Sequence, residues 1–433
     1  MRRTVITTVL VGILGLANAQ AQKNSTESNH VQAVTAISRV MGDGRKVETV
    51  VVKYDTPIRN KSLSTKSYGV EDKEVTRIYA NTKPEKAAQG IDGQYVIIEL
   101  KAEVDLNAQP KQPTQADMEK KKERDKMQGG PGLRAGWSTG GDNSYPGDAI
   151  VTQTADVKTT QGKTIKASPT AIKSTEERTL VADDFKQAEF VSPYSGQVLP
   201  YNIYLPQDYN PAQQYPLVLF IHDAGTASGA VQQTLYQGTG ATSWAEPEAQ
   251  ARHKCIVVAP EYPVVTVDDS MNYSHHLDAT IALLKDLQQR YSIDPKRIYT
   301  TGQSMGCMSS IVLLLKEPNL FAAGLLVAGK WNPQLMKPLD KQNLWIISCE
   351  GDASSNTLQG EAVALWRAQG SQVAEATWDM TLPEDKLSEE ADKMRKQGTH
   401  LLFTHLTGGS HRSTWFVTYG IKSVQDWLFE QSR

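Results

Sequence analysis

Residues Gly302-Gln303-Ser304-Met305-Gly306 form a G-x-S-x-G pattern. An apolar, β-branched run, Arg297 to Thr301, leads into it, and Ser310 to Leu315 leads out with helical spacing. Strand, sharp turn and helix together hold a serine strained and exposed, and small neighbours let the two elements approach closely. A serine hydroxyl is a poor nucleophile near neutral pH. It needs an adjacent base, and the base needs an acid to orient it. Three fixed positions recur by chance, so the rest of the chain must supply those partners.

Three histidines follow the pattern. His400 precedes an apolar run and His405 lies within it. His411 sits beyond it, in the glycine-rich text Gly408-Gly409-Ser410-His411. A loop histidine there can reach across the top of a sheet, which favours His411 as the base. For the acid, Leu344 to Ser348 reads as a buried strand that ends in Cys349-Glu350-Gly351-Asp352. Asp352 stands just past the strand end, where a turn can aim it. Glu350 is its nearest rival, and Asp379 a weaker one on a more exposed strand. The chain order Ser304, Asp352, His411 is one in which such triads occur. An oxyanion would be met by backbone N–H groups. The Met305 amide follows the nucleophile, and the Ala224 amide lies in His222-Asp223-Ala224-Gly225, after an earlier strand. His222 itself reads as structural.

These residues need a sheet to position them. Val198 to Pro206, Pro216 to His222, Cys255 to Ala259, Arg297 to Thr301, Ala322 to Ala328, Leu344 to Ser348 and Leu401 to His405 read as strands. Several are continuously apolar, as in a sheet covered on both faces. Helical text alternates with them, at Ala279 to Tyr291 and Gly420 to Gln431 for example. This pattern predicts a mostly parallel α/β sheet whose active groups stand at the carboxyl ends of its strands. Trp244, Tyr262 and Trp331 are candidate substrate-pocket aromatics, with core packing as the competing reading.

The first half differs. Short β-rich runs (Val31 to Ile37, Lys46 to Val52, Val75 to Tyr79, Tyr95 to Leu100) are punctuated by turn residues and predict an antiparallel sandwich over 30–185. Residues 108–147 break the pattern as a long loop. The second unit is expected over 190–433. At the front, Arg2 and Arg3 precede the apolar run Val5 to Leu16 and the small-residue sites Ala17-Asn18-Ala19 and Ala19-Gln20-Ala21. That reads as a signal peptide over 1–21 and predicts export, periplasmic or secreted. No other stretch is long and apolar enough to span a membrane. With 433 residues, 22% charged and a formal net charge of -2, nothing points to a nucleic-acid partner. Cys255, Cys307 and Cys349 each lie in or beside apolar text and read as buried free thiols, with one disulfide left open.

Residues 191–433 resemble bacterial α/β-hydrolase esterases of the polyhydroxybutyrate-depolymerase and feruloyl-esterase kind. The blocks that carry the resemblance are Tyr204-Leu205-Pro206, Pro216 to Gly225, Trp244 to Glu248, Val258 to Pro263, Asp294 to Gly306, Trp345 to Asp352 and Gly408 to His411. The first half is similar to the immunoglobulin-like domain attached to some of these esterases, through Gly44 to Tyr54 and Gly93 to Leu100. The resemblance implies an α/β-hydrolase sheet with flanking helices, preceded by an all-β immunoglobulin-like sandwich. It implies Ser304 as nucleophile, Asp352 as acid and His411 as base, with no cofactor and no metal. The substrate it implies is a small-molecule or carbohydrate-linked ester, such as an acetyl or feruloyl ester. Two departures stand out. Asp223 occupies the position of a usual glycine in H-G-x-G, and Ser348-Cys349 replaces a frequent His-Gly. Two other readings stay open: a serine peptidase of prolyl-oligopeptidase type, for which no β-propeller repeats are visible, and a non-catalytic surface-binding protein that retains the fold.

Overall fold

The computed structural model describes residues 30–108, 145–227 and 230–433. The expected signal peptide and nearly all of the 108–147 loop lie outside the described residues.

The described residues begin with β-strands whose valines and isoleucines alternate between two buried faces, Val50, Val52, Val96 and Ile98 on one and Ile37, Val51 and Ile97 on the other. Strands β1 (Val31–Met41), β2 (Gly44–Ile58), β3 (Tyr68–Val70), β4 (Val75–Asn81) and β5 (Gly93–Leu100) are followed by β6 (Ile150–Gln153), β7 (Val157–Lys158), β8 (Thr164–Ile165), β9 (Ile172–Lys173) and β10 (Glu176–Leu180). One sheet has the order β10-β1-β2-β5-β4, and a smaller one the order β3-β6-β9. Neighbours are antiparallel except β10, which runs parallel to β1. Val34, Val50, Val52, Val96, Ile98 and Val151 form the core between them.

The sheet changes after Leu180. Strands β11 (Lys186–Val191), β12 (Val198–Tyr204), β13 (Tyr215–Ile221), β14 (Ile256–Pro260), β15 (Ile293–Gln303), β16 (Ala323–Val327), β17 (Leu344–Cys349), β18 (Val373–Asp379) and β19 (Leu401–Thr407) form one sheet. Its order is β11-β12-β14-β13-β15-β16-β17-β19-β18. From β14 to β18 all neighbours are parallel, and β11 and β12 form an antiparallel margin. Period two explains why these strands read as continuous apolar text. Leu217, Leu219 and Ile221 of β13 face one core, while Val218 and Phe220 face the other.

Helices cover both faces. They are α1 (Gln233–Tyr236), α2 (Pro247–Arg252), α3 (His276–Arg290), α4 (Met305–Lys316), α5 (Ala353–Ala368), α6 (Glu384–Arg395), α7 (His411–Thr418) and α8 (Lys422–Glu430). The apolar sides of α3, α4 and α5 bury against one face, and those of α6, α7 and α8 against the other. Helix α4 is buried from Met305 to Leu314 because it lies under the middle of the sheet. None of the described helices is long and apolar enough to cross a membrane. Cys255, Cys307 and Cys349 are buried free thiols.

The sandwich packs against the second unit. Arg39 pairs with Glu246 at 3.2 Å, the Arg45 guanidinium lies 4.1 Å from the centre of the Tyr236 ring, and Val40 enters the core beside α7.

Two local constraints shape the sheet edge that carries the G-x-S-x-G turn. The first is close packing. A Cβ on Gly306 would meet the Ile221 carbonyl oxygen at 1.9 Å, so the first turn of α4 lies directly on the end of β13. The second is His222, the next residue of that strand end, which is fully buried. Its Nε2 accepts the Tyr262 N–H at 3.0 Å, so that nitrogen carries no proton. Its Nδ1–H donates to the Asp223 carbonyl at 2.7 Å. The ring is therefore neutral, although the Glu261 carboxylate lies 3.7 Å away. Burial holds its pKa below the ordinary imidazole value, against an opposing pull from Asp223.

Gly306→Ala should cost about 3 kcal/mol or more, because backbone must move to admit the methyl group, and a thermal melt of the purified variant measures this. His222 gives a signed pH effect. The unfolded chain takes up a proton near pH 6.5, where the folded ring does not, so stability is full above that pH and is lost as pH falls below it. Between pH 7.5 and 5.5, urea unfolding should show wild type losing about 1 kcal/mol more than His222→Gln.

Candidate active site

Ser304 follows β15 directly and heads α4. Its φ of 54° and ψ of -118° are sparsely populated for a residue with a side chain. The Ser304 N–H donates to the Val327 carbonyl at 3.1 Å, tying the turn to β16.

His411 was expected in a loop, and the structure corrects this: it is the first residue of α7. Ser410 is the N-cap. Its hydroxyl accepts the Ser413 N–H, while the Ser413 hydroxyl accepts the Ser410 N–H at 2.6 Å. This reciprocal pair starts the helix one residue before the histidine and fixes its backbone.

Asp352 is the N-cap of α5, and its Oδ1 accepts the Ser355 N–H at 3.3 Å. A Cβ on Gly351 would lie 2.1 Å from the Gly409 carbonyl oxygen, so only glycine lets the acid turn and the histidine turn touch. The three side chains then form one chain. The Ser304 hydroxyl donates to His411 Nε2 at 2.9 Å, and His411 Nδ1–H donates to Asp352 Oδ2 at 2.5 Å. The His411 ring stands edge-on to Trp415 at 5.1 Å.

The rival residues are engaged elsewhere. Glu350 points to solvent. Asp379 Oδ1 accepts the Thr381 hydroxyl and N–H, at 2.7 and 2.9 Å. His400 bonds the Asp340 carbonyl, and His405 lies between Asn356 and Glu375.

The loop after β13 runs beside the first turn of α4, since Gly306 packs on both the Ile221 and His222 carbonyls. Asp223 explains its departure from glycine. Its Oδ1 accepts the Gly225 N–H at 2.6 Å, and its Oδ2 accepts the Gln303 amide N–H at 3.2 Å. The Gln303 amide also donates to Gln237 Oε1 at 3.1 Å, and that oxygen accepts the Asp223 N–H. The loop is thus tied to the residue just before Ser304. Ser348, the second departure, donates to Asn356 Oδ1 at 2.8 Å, and the Asn356 N–H reaches the Asp352 carbonyl.

Sequence reading did not find Gln237, Gln303, Arg412 or Tyr145. Tyr145 lies near Arg412, the residue after His411, whose charge opposes the shift of its hydroxyl. Burial, reinforced by the charge of Asp223, pushes its hydroxyl up to about 12. The Tyr145 carbonyl accepts Arg45 Nε–H at 2.6 Å, so β2 of the sandwich reaches this margin of the site. These contacts span large sequence separations and leave no local pattern.

The expected pocket aromatics need correction, because all three rings are packed inside the second unit. Trp244 is 1% exposed, donates its indole N–H to the Gly240 carbonyl and packs edge-on against Tyr419 and Phe429. Tyr262 is 0% exposed and shares a 2.8 Å hydrogen bond with Thr280. Trp331 is 2% exposed within the core beneath α4 and α5. Rings of this size bury more apolar area in a core than at a rim. Among the described residues, no group of three or more His, Cys, Asp and Glu side chains is placed to hold a metal ion.

Residues 33–166 match the family of esterase Ig-like N-terminal domains. Over 164 residues the chain is 30% identical to acetylxylan esterase A of Emericella nidulans and 28% identical to that of Aspergillus oryzae. Each alignment covers 36% of this chain, and the chain spans about half the length of the curated relatives it matches. A crystal structure of a thermostable esterase superposes over 93% of this chain and 100% of its own, with a TM-score of 0.70 and 26% identity. The putative-esterase family model matches residues 192–427, more than half of the 433 residues, and the chain belongs to that esterase family, with an immunoglobulin-like domain ahead of its esterase domain.

Proposed function

We propose that the protein is an exported carboxylic ester hydrolase that works by acyl transfer through Ser304, His411 and Asp352, on an ester carried by a carbohydrate. The observation that carries the mechanism is the unbroken chain from Ser304 Oγ through both ring nitrogens of His411 to Asp352 Oδ2. Names of relatives, acetylxylan esterases, support the substrate class. The arginines and apolar run at the front of the sequence support export.

The steps follow from this geometry. Ser304 Oγ attacks the ester carbonyl carbon as His411 Nε2 takes its proton. Asp352 holds the Nδ1–H, keeps the productive tautomer and stabilises the imidazolium that forms. Negative charge moves onto the carbonyl oxygen, where the Met305 and Ala224 amides are the proposed donors. Met305 heads α4, so the helix N-terminus adds to that field. The C–O bond to the alcohol breaks, and His411 returns its proton to the leaving oxygen. Water then attacks the acyl-serine by the same route and releases the acid.

The test uses aryl acetate turnover and labelling by a fluorophosphonate. Ser304→Ala should abolish labelling and lower kcat roughly 10⁴-fold or more, and Asp352→Asn should lower it about 10⁴-fold with folding intact by circular dichroism. Amide turnover without ester turnover would replace this reading by a peptidase. Wild-type protein that is not labelled would replace it by a binding protein.

A further inference from the structure

A concave region lies away from the triad. It is a groove of about 570 Å³ between the Ser192–Gln197 turn and helix α3. Tyr194 stands on its wall and is 83% exposed. The turn that presents it is built, not loose: Ser192 N–H bonds the Gln197 carbonyl at 2.8 Å and Gly196 N–H bonds the Ser192 carbonyl at 2.9 Å. A ring this exposed contributes little to the core and leaves its faces open.

The opposite wall says which ligand. Its charges cancel in pairs: Lys285 with Glu317 at 2.8 Å, and Lys316 with Asp278 at 2.8 Å. The groove therefore has no net charge to draw an ion. Ile281 and Ala282 are its aliphatic lining residues and are 6% and 8% exposed, so most of the apolar surface comes from the Tyr194 ring and side-chain stems. The groove thus sets an aromatic face opposite a row of hydrogen-bonding side chains. A sugar ring has that complement, with C–H groups on its faces and hydroxyls on its rim.

The register places this groove usefully. Tyr201 of β12 pairs antiparallel with Pro260, the last residue of β14. The Ser192–Gln197 turn thus lies beyond the carboxyl end of β14, the same edge at which Ser304 follows β15. The turn is three strand spacings from β15, about 14 Å, whereas Lys316 and Glu317 of the opposite wall stand at the far end of α4 from Ser304, so the groove runs from the Ser304 edge down the outer side of the sheet.

We propose that this groove is a second, non-catalytic site that binds a neutral oligosaccharide stretch of the substrate, with Tyr194 as its stacking platform. The inference rests on the reading of Ser304 as acting on a carbohydrate-borne ester. It assigns the groove the task of holding the polymer while the ester reaches the triad.

The full chain is tested as wild type, Tyr194→Ala and Tyr194→Trp. Tyr194→Ala should turn over an aryl acetate at the wild-type rate, yet show a KM on acetylated xylan raised roughly tenfold, and Tyr194→Trp should restore it. Calorimetric titration of xylohexaose and cellohexaose into the Ser304→Ala form should show binding that is lost when Tyr194→Ala is added. Equal KM values on the polymer, or hexaose binding untouched by Tyr194→Ala, overturn the proposal. A wild type that cleaves no ester at all defeats the reading of Ser304, and the hexaose titration still decides the groove. Should Tyr194→Ala change the oligomeric state and leave hexaose binding intact, the turn is a contact between copies and the proposal fails.

Discussion

A serine does not adopt a φ of 54° unaided. The surrounding packing must over-determine it, and here the packing is the contact of α4 with the end of β13. Gly306 lies on the Ile221 and His222 carbonyls, Gly302 lies on the Gly306 backbone, and Ser304 N–H is bonded to Val327. Two neighbouring parallel strands and the helix between them thus clamp one residue from three sides. The cost of such a conformation is of order 1–3 kcal/mol, which the buried faces of α4 and β13 can absorb. Exposure of the hydroxyl at the sheet edge is the return for that strain.

The same edge collects the other two groups by strand order. β17 and β19 are neighbours, with Ser348 opposite His405. Each runs a few residues past the sheet before its helix begins, and each helix starts with a capping side chain. Asp352 is itself a cap, and His411 follows one. Caps fix the first turn of a helix more firmly than an unstructured loop fixes its residues. Asp352 and His411 are therefore positioned by helix starts, and Gly351 lets those starts touch.

Much of this was legible in the residues. Ser304, Asp352 and His411 could be read in order because strand ends and glycine turns leave local signatures. The continuous apolar runs identified the parallel strands for the same reason. Other parts left no local trace. Helix α6 buries only Leu387, Ala391 and Met394 along a charged sequence, so its apolar stripe is too thin to see. Trp244, Tyr262 and Trp331 show that a ring's type does not say whether it faces a core or a cleft. Asp223 looked like a flaw in the oxyanion loop. Its role depends on Gln303 and Gln237, residues remote in sequence and adjacent only once the sheet has formed. Tyr145 and Arg412 meet for the same reason.

The sheet order β17-β19-β18 has a consequence for biosynthesis. Strands are made in the order β17, β18, β19, yet β19 lies between the other two. Until residues 401–407 emerge, β17 is paired with β16 on one side and open on the other, and β18 has no partner strand at all. Unpaired apolar edges are where nascent chains stick to one another. The histidine arrives only after that gap is filled, four residues beyond β19. A growing chain that already carries Ser304 and Asp352 thus gains their hydrogen-bond partner His411 only after its last strand has sealed the sheet.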